Sequence, residues 1–391
     1  MILALQTTTF AAHGGIPVYN RLVCRTLNES GSGLRACEKR ILIGRDRPAD
    51  VANGARALKN ISFEAFSGDR RALMWRTLGL ALHESIDLAL IGHVNYAPFG
   101  LMLKRFQPQS RYAVILYGID AWGRLSPLKR RAVQKADFLI AISETTKRNA
   151  VAANQLDESR VYVLPNALEW TEEHSASSFS PISGQRLLSV CRLEQNEQYK
   201  GVDTTLRAMA RVAPTIPELH YVVVGDGSDL ARHKELATEL GIADRVEFTG
   251  SVSDATLRAH YRDCDVFVLP SEAEGFGFVF LEAMHYARPI IAANSGATPE
   301  VVRDKETGVL IEYGNVEQLA NAITSLCRDA NLRRRLGTAG RDRLHENFTF
   351  DQFRERFGKI VSRELDRKTA DRQAHGRPRG SRGYFSRGAA S

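Results

Sequence analysis

The sequence predicts an α/β protein made of two doubly wound parallel sheets. Three observations predict it. Short runs rich in Val, Ile and Leu alternate with helix-length segments along most of the 391 residues, the pattern of βαβ units. Several of those runs are apolar at successive positions, as strands covered on both faces must be. The alternation breaks once, in the aperiodic, serine-dense stretch 169–184, which reads as a linker between two such units.

In chain order, the expected strands of the first unit are 2–6, 40–43, 87–91, 112–117, 138–142 and 161–164. Those of the second are 187–191, 220–224, 246–248, 266–269 and 289–292. Helical segments are expected at 128–135, 144–154, 202–212, 230–240 and 254–263. The domains are therefore placed at 1–170 and 184–347. Past Phe348, the residues Phe350, Phe353, Phe357, Ile360 and Val361 fall at helical spacing. They predict a helix over 348–365 that rejoins the first domain, followed by a basic, disordered tail over 366–391. Two such domains facing each other enclose a cleft at the carboxyl ends of their strands, where ligands of open α/β sheets bind.

Composition narrows the function. With 43% hydrophobic and 25% charged residues, the chain is neither disordered throughout nor a polytopic membrane protein. No run approaches about 18 uninterrupted apolar residues. The opening Met1-Ile2-Leu3-Ala4-Leu5-Gln6 lacks a basic flank and reads as a first strand, not a secretion signal. Five scattered cysteines with no metal-ligand spacing fit small buried hydrophobes in a reducing cytosol. The net charge is +8, of which +5 lies in 362–391, so the folded body is no basic nucleic-acid-binding domain. That tail, with Arg70-Arg71, Lys104-Arg105 and Lys129-Arg130-Arg131, suits either contact with an anionic membrane or plain solvation.

The residues suited to chemistry follow strands. The run Val266–Leu269 leads to Pro270, Glu272, Glu274, then Gly275-Phe276-Gly277 and a helix. Glycines let backbone N–H groups approach a ligand, and a helix N-terminus favours phosphate. Two carboxylates beside a phosphate cradle, Glu274 and Glu282, need other partners, and sugar or ribose hydroxyls supply them. Glu282 is expected about two turns into the helix. Arg192 follows a strand and Lys200-Gly201 opens the next helix, which sets two cations where a leaving diphosphate needs neutralising without a metal. Gly225-Asp226-Gly227 ends another strand; it lacks the third glycine of the dinucleotide fingerprint but suits a nucleotide at the strand end. In the first domain, His13-Gly14-Gly15 leads into a helix, while His93 and Tyr117-Gly118-Ile119-Asp120 follow strands and would line the opposing wall. Asp263-Cys264-Asp265 has the spacing of a metal-binding pair, but it precedes its strand, at the edge away from the cleft, so no metal is expected there.

Together, Pro270-Ser271, Glu274-Gly275-Phe276-Gly277 and Leu281-Glu282-Ala283-Met284 resemble the E-x7-E motif of the retaining glycosyltransferases of family 4. Gly14-Gly15, Ser143-Glu144-Thr145-Thr146, Leu164-Pro165-Asn166, Tyr199-Lys200-Gly201, Pro299-Glu300-Val301-Val302 and Thr307-Gly308 extend the resemblance over most of the chain. It implies a GT-B fold with the nucleotide sugar held mainly by the second domain. It implies that Arg192 and Lys200 bind the diphosphate, approached by Gly15 from the first domain, and that Gly225, Phe276, Gly277, Phe278 and Val279 lie along the donor. Glu274 would hold donor-sugar hydroxyls, Glu282 the ribose, and His93 the transferred sugar; Tyr117 and Asp120 would stand on the acceptor side. Glu274, Arg192, Lys200 and His93 form the implied catalytic set. The implied enzyme is a cytosolic hexosyltransferase using GDP-mannose or a UDP-hexose, retaining configuration, with no cofactor or metal. Its acceptor would be a glycan or lipid-linked oligosaccharide of a bacterial cell surface. Three positions depart from the pattern: Tyr117 replaces a frequent His, and Ala287 and Ala297 replace glycines. A GT-B epimerase or phosphorylase, or a non-catalytic sugar-nucleotide-binding protein, is the alternative; the intact Glu274, Glu282, Arg192 and Lys200 set argues against the last.

Overall fold

The computed structural model describes residues 1–12, 14–29, 37–170 and 185–375, with side chains to residue 367. In the first domain the strands are β1 (Ile2–Gln6), β2 (Lys39–Ile43), β3 (Ser62–Ala65), β4 (Leu88–Ile91), β5 (Arg111–Leu116), β6 (Phe138–Ala141) and β7 (Val161–Val163). The second contributes β8 (Arg186–Val190), β9 (His220–Val224), β10 (Val246–Gly250), β11 (Val266–Leu269), β12 (Ile290–Ala293) and β13 (Gly308–Ile311). Every ladder between neighbours is parallel, in the orders β3-β2-β1-β4-β5-β6-β7 and β10-β9-β8-β11-β12-β13. These are the two Rossmann-like sheets that the successive apolar runs call for; every residue of β4, β6, β11 and β12 is buried.

Helices cover both faces of each sheet. Those of the first domain are α1 (Gly15–Asn28), α2 (Pro48–Gly54), α3 (Arg70–His83), α4 (Ala97–Phe106), α5 (Ile119–Trp122), α6 (Pro127–Gln134) and α7 (Glu144–Asn154). The second adds α8 (Val202–Val212), α9 (Leu230–Glu239), α10 (Asp254–Asp263), α11 (Phe278–His285), α12 (Thr298–Val301), α13 (Val316–Arg328) and α14 (Ala330–Asn347). Side chains cap several of them: Asp69 accepts the N–H groups of Arg71 and Ala72 at α3, and Ser143 accepts that of Thr146 at α7.

Two strands lay outside the sequence expectation, β3 and β13. Both are short sheet edges: β3 (Ser-Phe-Glu-Ala) carries no apolar run, and β13 offers only Val309, Leu310 and Ile311, two of them half-buried.

The last helix, α15 (Phe350–His375), returns to the first domain, with Phe353 edge-on to Tyr19 of α1. Glu364 anchors it. Its carboxylate is fully buried and accepts from Arg111 of β5 (2.5 Å), Tyr162 of β7 (2.6 Å) and Arg367 (2.8 Å). Removing a buried charge's partner strands the other charge, so Glu364→Ala is expected to cost about 3 kcal/mol of stability, read as a lower thermal midpoint. The helix also corrects the expected tail: 366–375 continue the helical hydrogen bonding, and Glu364–Arg367 spans one turn. The linker residues 171–184, the tail 376–391 and His13 lie outside the described residues.

Strand order reverses between β1 and β4 in the first sheet and between β8 and β11 in the second. At such a point successive connections leave on opposite faces and open a crevice beyond the strand ends. The loops after these four strands carry the candidate chemistry.

Candidate active site

The two crevices face each other. Gly275, after β11, lies against Gly118, after β5, with no room for a side chain between them. A Cβ on Gly118 would sit 2.8 Å from the Gly275 Cα, and one on Gly275 would run into the Tyr117 carbonyl oxygen. Gly118 also holds φ at +125°, a conformation that L side chains rarely adopt. Beside this contact, a Cβ on Gly15, the first residue of α1, would be 3.3 Å from the Phe278 ring, the first residue of α11. The amino ends of two helices, one from each domain, thus converge on one gap, and both present N–H dipoles that favour an anion.

Lys200 and Glu274 complete that gap. Lys200 Nζ donates to Glu274 Oε1 at 2.6 Å, and Glu274 is only 8% exposed. Burial alone would depress the Lys200 ammonium, but the Glu274 carboxylate more than offsets it and holds the lysine above its usual range. The loop carrying Glu274 is braced from behind: its carbonyl accepts the Ala297 N–H (2.9 Å), and a Cβ on Gly296 would stand 2.8 Å from that same carbonyl oxygen. Three residues on, Glu300 reaches the other domain, where its carboxylate accepts the N–H groups of Glu144 (2.8 Å) and Thr145 (2.7 Å) at the start of α7. Arg343 holds the carbonyls of Glu300 (2.7 Å) and Val301 (2.8 Å). Glu300 stood in the sequence only as part of a motif; its tie to α7 crosses about 155 residues and has no local signature.

Arg192 stands apart from this pair. Its guanidinium is 71% exposed and rests on Glu197, at the mouth of the same crevice. The flanking backbone is fixed by Cys191 N–H to Val224 O (3.1 Å) and Leu193 N–H to Asp226 O (3.0 Å). Gly225 has a packing explanation: a side chain there would strike the Cys191 carbonyl, and its N–H is already bonded to Gly250 O (3.0 Å). That leaves it no spare backbone donor for a nucleotide, although the residue itself is half-buried.

Glu282 lies closer to the loop than expected. Because α11 begins only at Phe278, it sits one turn in, not two. It accepts the Tyr261 O–H at 2.7 Å, and burial pushes its carboxyl up to about 7. Gly277 caps α11 with φ +94°. Phe276 turns its ring into the core against Phe348, while Phe278 and Val279 remain half-buried. Ala287, one of the three departures from the resemblance, holds a left-handed φ of +52°, a conformation that glycine adopts without strain. Ala297 is buried, with its N–H on the Glu274 loop.

On the first-domain wall, His93 Nδ1 accepts the Asn95 N–H (3.0 Å), which assigns the ring proton to Nε2, 4.0 Å from Asp120 Oδ2. Burial pulls His93 down to about 4, so it is neutral at pH 7. Burial raises Asp120 to about 7; one oxygen takes the Tyr117 N–H (3.1 Å), and Oδ2 is buried without a hydrogen bond. The Tyr117 side chain corrects the expectation for it. Its phenol points away from the cleft and donates to Asn20 Oδ1 (2.9 Å) inside the core, because a buried hydroxyl needs a partner. What Tyr117 contributes to the cleft is its carbonyl. Asp46, not anticipated, shapes the turn before Gly15 by accepting from Thr8 Oγ1 (2.6 Å) and from the N–H groups of Thr9 (3.0 Å) and Phe10 (2.7 Å).

Asp265 lies at the far edge of the second sheet, where it accepts the N–H groups of Gln185 and Arg186 (both 2.9 Å) at the start of β8. Among the described residues, no group of three or more His, Cys, Asp or Glu is arranged to hold a metal ion. No helix there is long and apolar enough to cross a membrane.

Comparison with known proteins agrees with this fold. The profile of the glycosyl transferases group 1 matches residues 171–343. The GDP-mannose-dependent alpha-(1-6)-phosphatidylinositol monomannoside mannosyltransferase of Mycolicibacterium smegmatis is 32% identical over 73% of this chain and 79% of its own length. The Mycobacterium tuberculosis enzyme of the same name is 35% identical over 43% of this chain, and that match takes in 45% of its own length. Among solved structures, Anabaena HepE in complex with UDP superimposes with a TM-score of 0.72 at 19% identity, over 93% of this chain and 99% of that one. The chain therefore belongs to the group 1 glycosyltransferases and has their two-domain GT-B fold.

Proposed function

We propose that the protein transfers a hexose from a nucleoside diphosphate sugar to a glycan or lipid acceptor, with retention of configuration and without a metal. The observation that carries this is the Lys200–Glu274 pair, seated where the two helix N-termini meet. In the free site each partner occupies the place of a ligand group. A donor would give Lys200 a phosphate oxygen and release Glu274 to accept sugar hydroxyls. Arg192, leaving Glu197, would close on the diphosphate from the mouth. Fixed cations and amide dipoles then stabilise the charge that grows on the departing diphosphate. The bond from the anomeric carbon to the phosphate oxygen breaks, and the bond to the acceptor oxygen forms on the same face. The acceptor's proton passes to the departing phosphate oxygen. Neutral His93 would donate its Nε2–H to the transferred sugar, and Asp120 beside it would accept from a hydroxyl on that wall.

The relatives' names favour GDP-mannose as donor, and the solved complex with UDP keeps UDP-hexoses in view. Calorimetric titration with GDP, UDP and ADP tests the reading. One of the three binds, and binding releases protons. With its carboxyl at about 7, Glu282 is about half protonated in the free site at pH 7, and ribose hydroxyls favour its charged form. Release near pH 7 is therefore up to about half a proton, fades as pH rises past about 8, and disappears in Glu282→Gln. The sign for stability is the same: the raised carboxyl supports the fold fully on the acid side of its ordinary value, and this support is lost as pH rises through about 7. Failure of all three nucleotides to bind would sink the proposal. A product with inverted configuration, read by proton NMR, would sink its stereochemical part.

A further inference from the structure

Helices α3, α4 and α6 pack side by side on the face of the first sheet opposite α1 and α15. Their sequences hold eight Lys or Arg and not one Asp or Glu. They also carry most of the exposed apolar bulk. Of the large hydrophobic side chains exposed among the described residues, Met74, Trp75, Leu82, Phe106 and Leu128 all lie on these helices, with Trp75 at 65% exposure. On α3 the arrangement is regular. Leu73, Thr77, Leu80 and Ala81 form the face toward the sheet, whereas Arg71, Met74, Trp75, Leu78 and Leu82 recur at helical spacing on the outer side. The helix is therefore apolar on two faces, only one of which the described residues cover. Gln107 donates to the carbonyls of Ala81 (2.8 Å) and Glu84 (2.6 Å), which sets Phe106 beside the Leu82 end of the stripe.

Charge decides what covers the outer face. Arg76 and Lys104 are matched by Glu64 (2.7 Å) and Asp137 (3.0 Å), but Arg70, Arg71, Arg105 and Arg131 are exposed. A second copy of the same face would bring these arginines against each other. An acidic surface with an apolar interior answers both features at once. Trp and the apolar stripe enter the headgroup boundary, and the arginines meet anionic lipid. We propose that the outer face of α3, α4 and α6 docks on an anionic phospholipid surface. Helices α3 and α4 start at the carboxyl ends of β3 and β4, the side that faces the cleft, so docking places the cleft mouth along the membrane.

Vesicle binding needs neither donor nor acceptor, so it holds or fails independently of the transfer reaction. The full chain is titrated with vesicles of phosphatidylcholine mixed with phosphatidylglycerol, and with phosphatidylcholine alone. Binding is expected to the mixed vesicles only, with a blue shift of tryptophan emission that Trp75→Phe removes. Arg70→Gln with Arg71→Gln lowers affinity by about twenty-five-fold, at about fivefold per charge. Trp75→Ser lowers it by about tenfold. Arg207→Gln with Arg211→Gln, exposed arginines of α8 in the other domain, leaves it unchanged and shows that net charge alone is not the cause. All these positions are exposed, so an unchanged melting temperature verifies folding. Equal binding by wild type and face variants overturns the proposal. So does equal binding to phosphatidylcholine alone, binding to a nucleic acid that is stronger than to the mixed vesicles, or a dimer that Trp75→Ser dissociates.

Discussion

Lys200→Ala is expected to lower sugar transfer by about a thousandfold, the scale of removing one preorganised charge from where charge develops in the transition state. Two things are lost together. The diphosphate loses its most buried cation, and Glu274, only 8% exposed, loses its partner at 2.6 Å. The second loss separates electrostatics from damage to the loop. In Lys200→Ala with Glu274→Gln the stranded carboxylate is gone, so thermal stability recovers while transfer stays low. Lys200→Arg keeps charge with a different shape and should restore a minor share of activity. Nucleoside diphosphate affinity should fall more than that for the nucleoside, measured by calorimetry with each. Activity of Lys200→Ala within about tenfold of wild type would remove the lysine from the mechanism.

Gly118→Ala is the second large effect, and it acts from the other domain. The new methyl would stand 2.8 Å from the Gly275 Cα, at a backbone φ of +125°. The domains cannot reach their present contact without one of them shifting. A misplacement of about 1 Å between reacting groups costs on the order of a hundredfold in rate, and that is the expected loss in turnover. Nucleotide affinity should fall far less than turnover, because Lys200, Glu274 and Glu282 all lie in the second domain. Small-angle X-ray scattering should report a wider molecule. Loss of nucleotide binding in step with turnover would mean that the substitution disturbs the Glu274 loop itself, not domain closure.

Much of this site was legible in the sequence, for one physical reason. Strands buried on both faces are continuous apolar runs, and in a parallel sheet the residues just past them share one edge. By that logic Glu274 and His93 come just after β11 and β4, while Lys200 precedes α8, and the fold brings Lys200 onto Glu274. It failed where the direction of a side chain decides. Tyr117 ends its strand at the right place, yet its ring turns back to Asn20; position along the chain does not encode that choice. Gly225 also has a packing reason that its strand-end position does not encode: a side chain there would strike the Cys191 carbonyl, a contact between the ends of two neighbouring strands. Edge strands β3 and β13 were missed because four-residue, half-exposed strands carry no long apolar run. The outer stripe of α3 is masked by the inner one, since a helix apolar on two sides resembles any buried helix.

The short segment from Ser295 to Glu300 touches the donor loop at one end and α7 at the other. Thermodynamic reciprocity gives this arrangement a consequence. Whatever steadies the loop must strengthen the grip between lobes by the same factor, and separating the lobes must loosen the loop equally. Glu300, through its hold on the other lobe's helix α7, thus tunes how firmly the Glu274 loop is held.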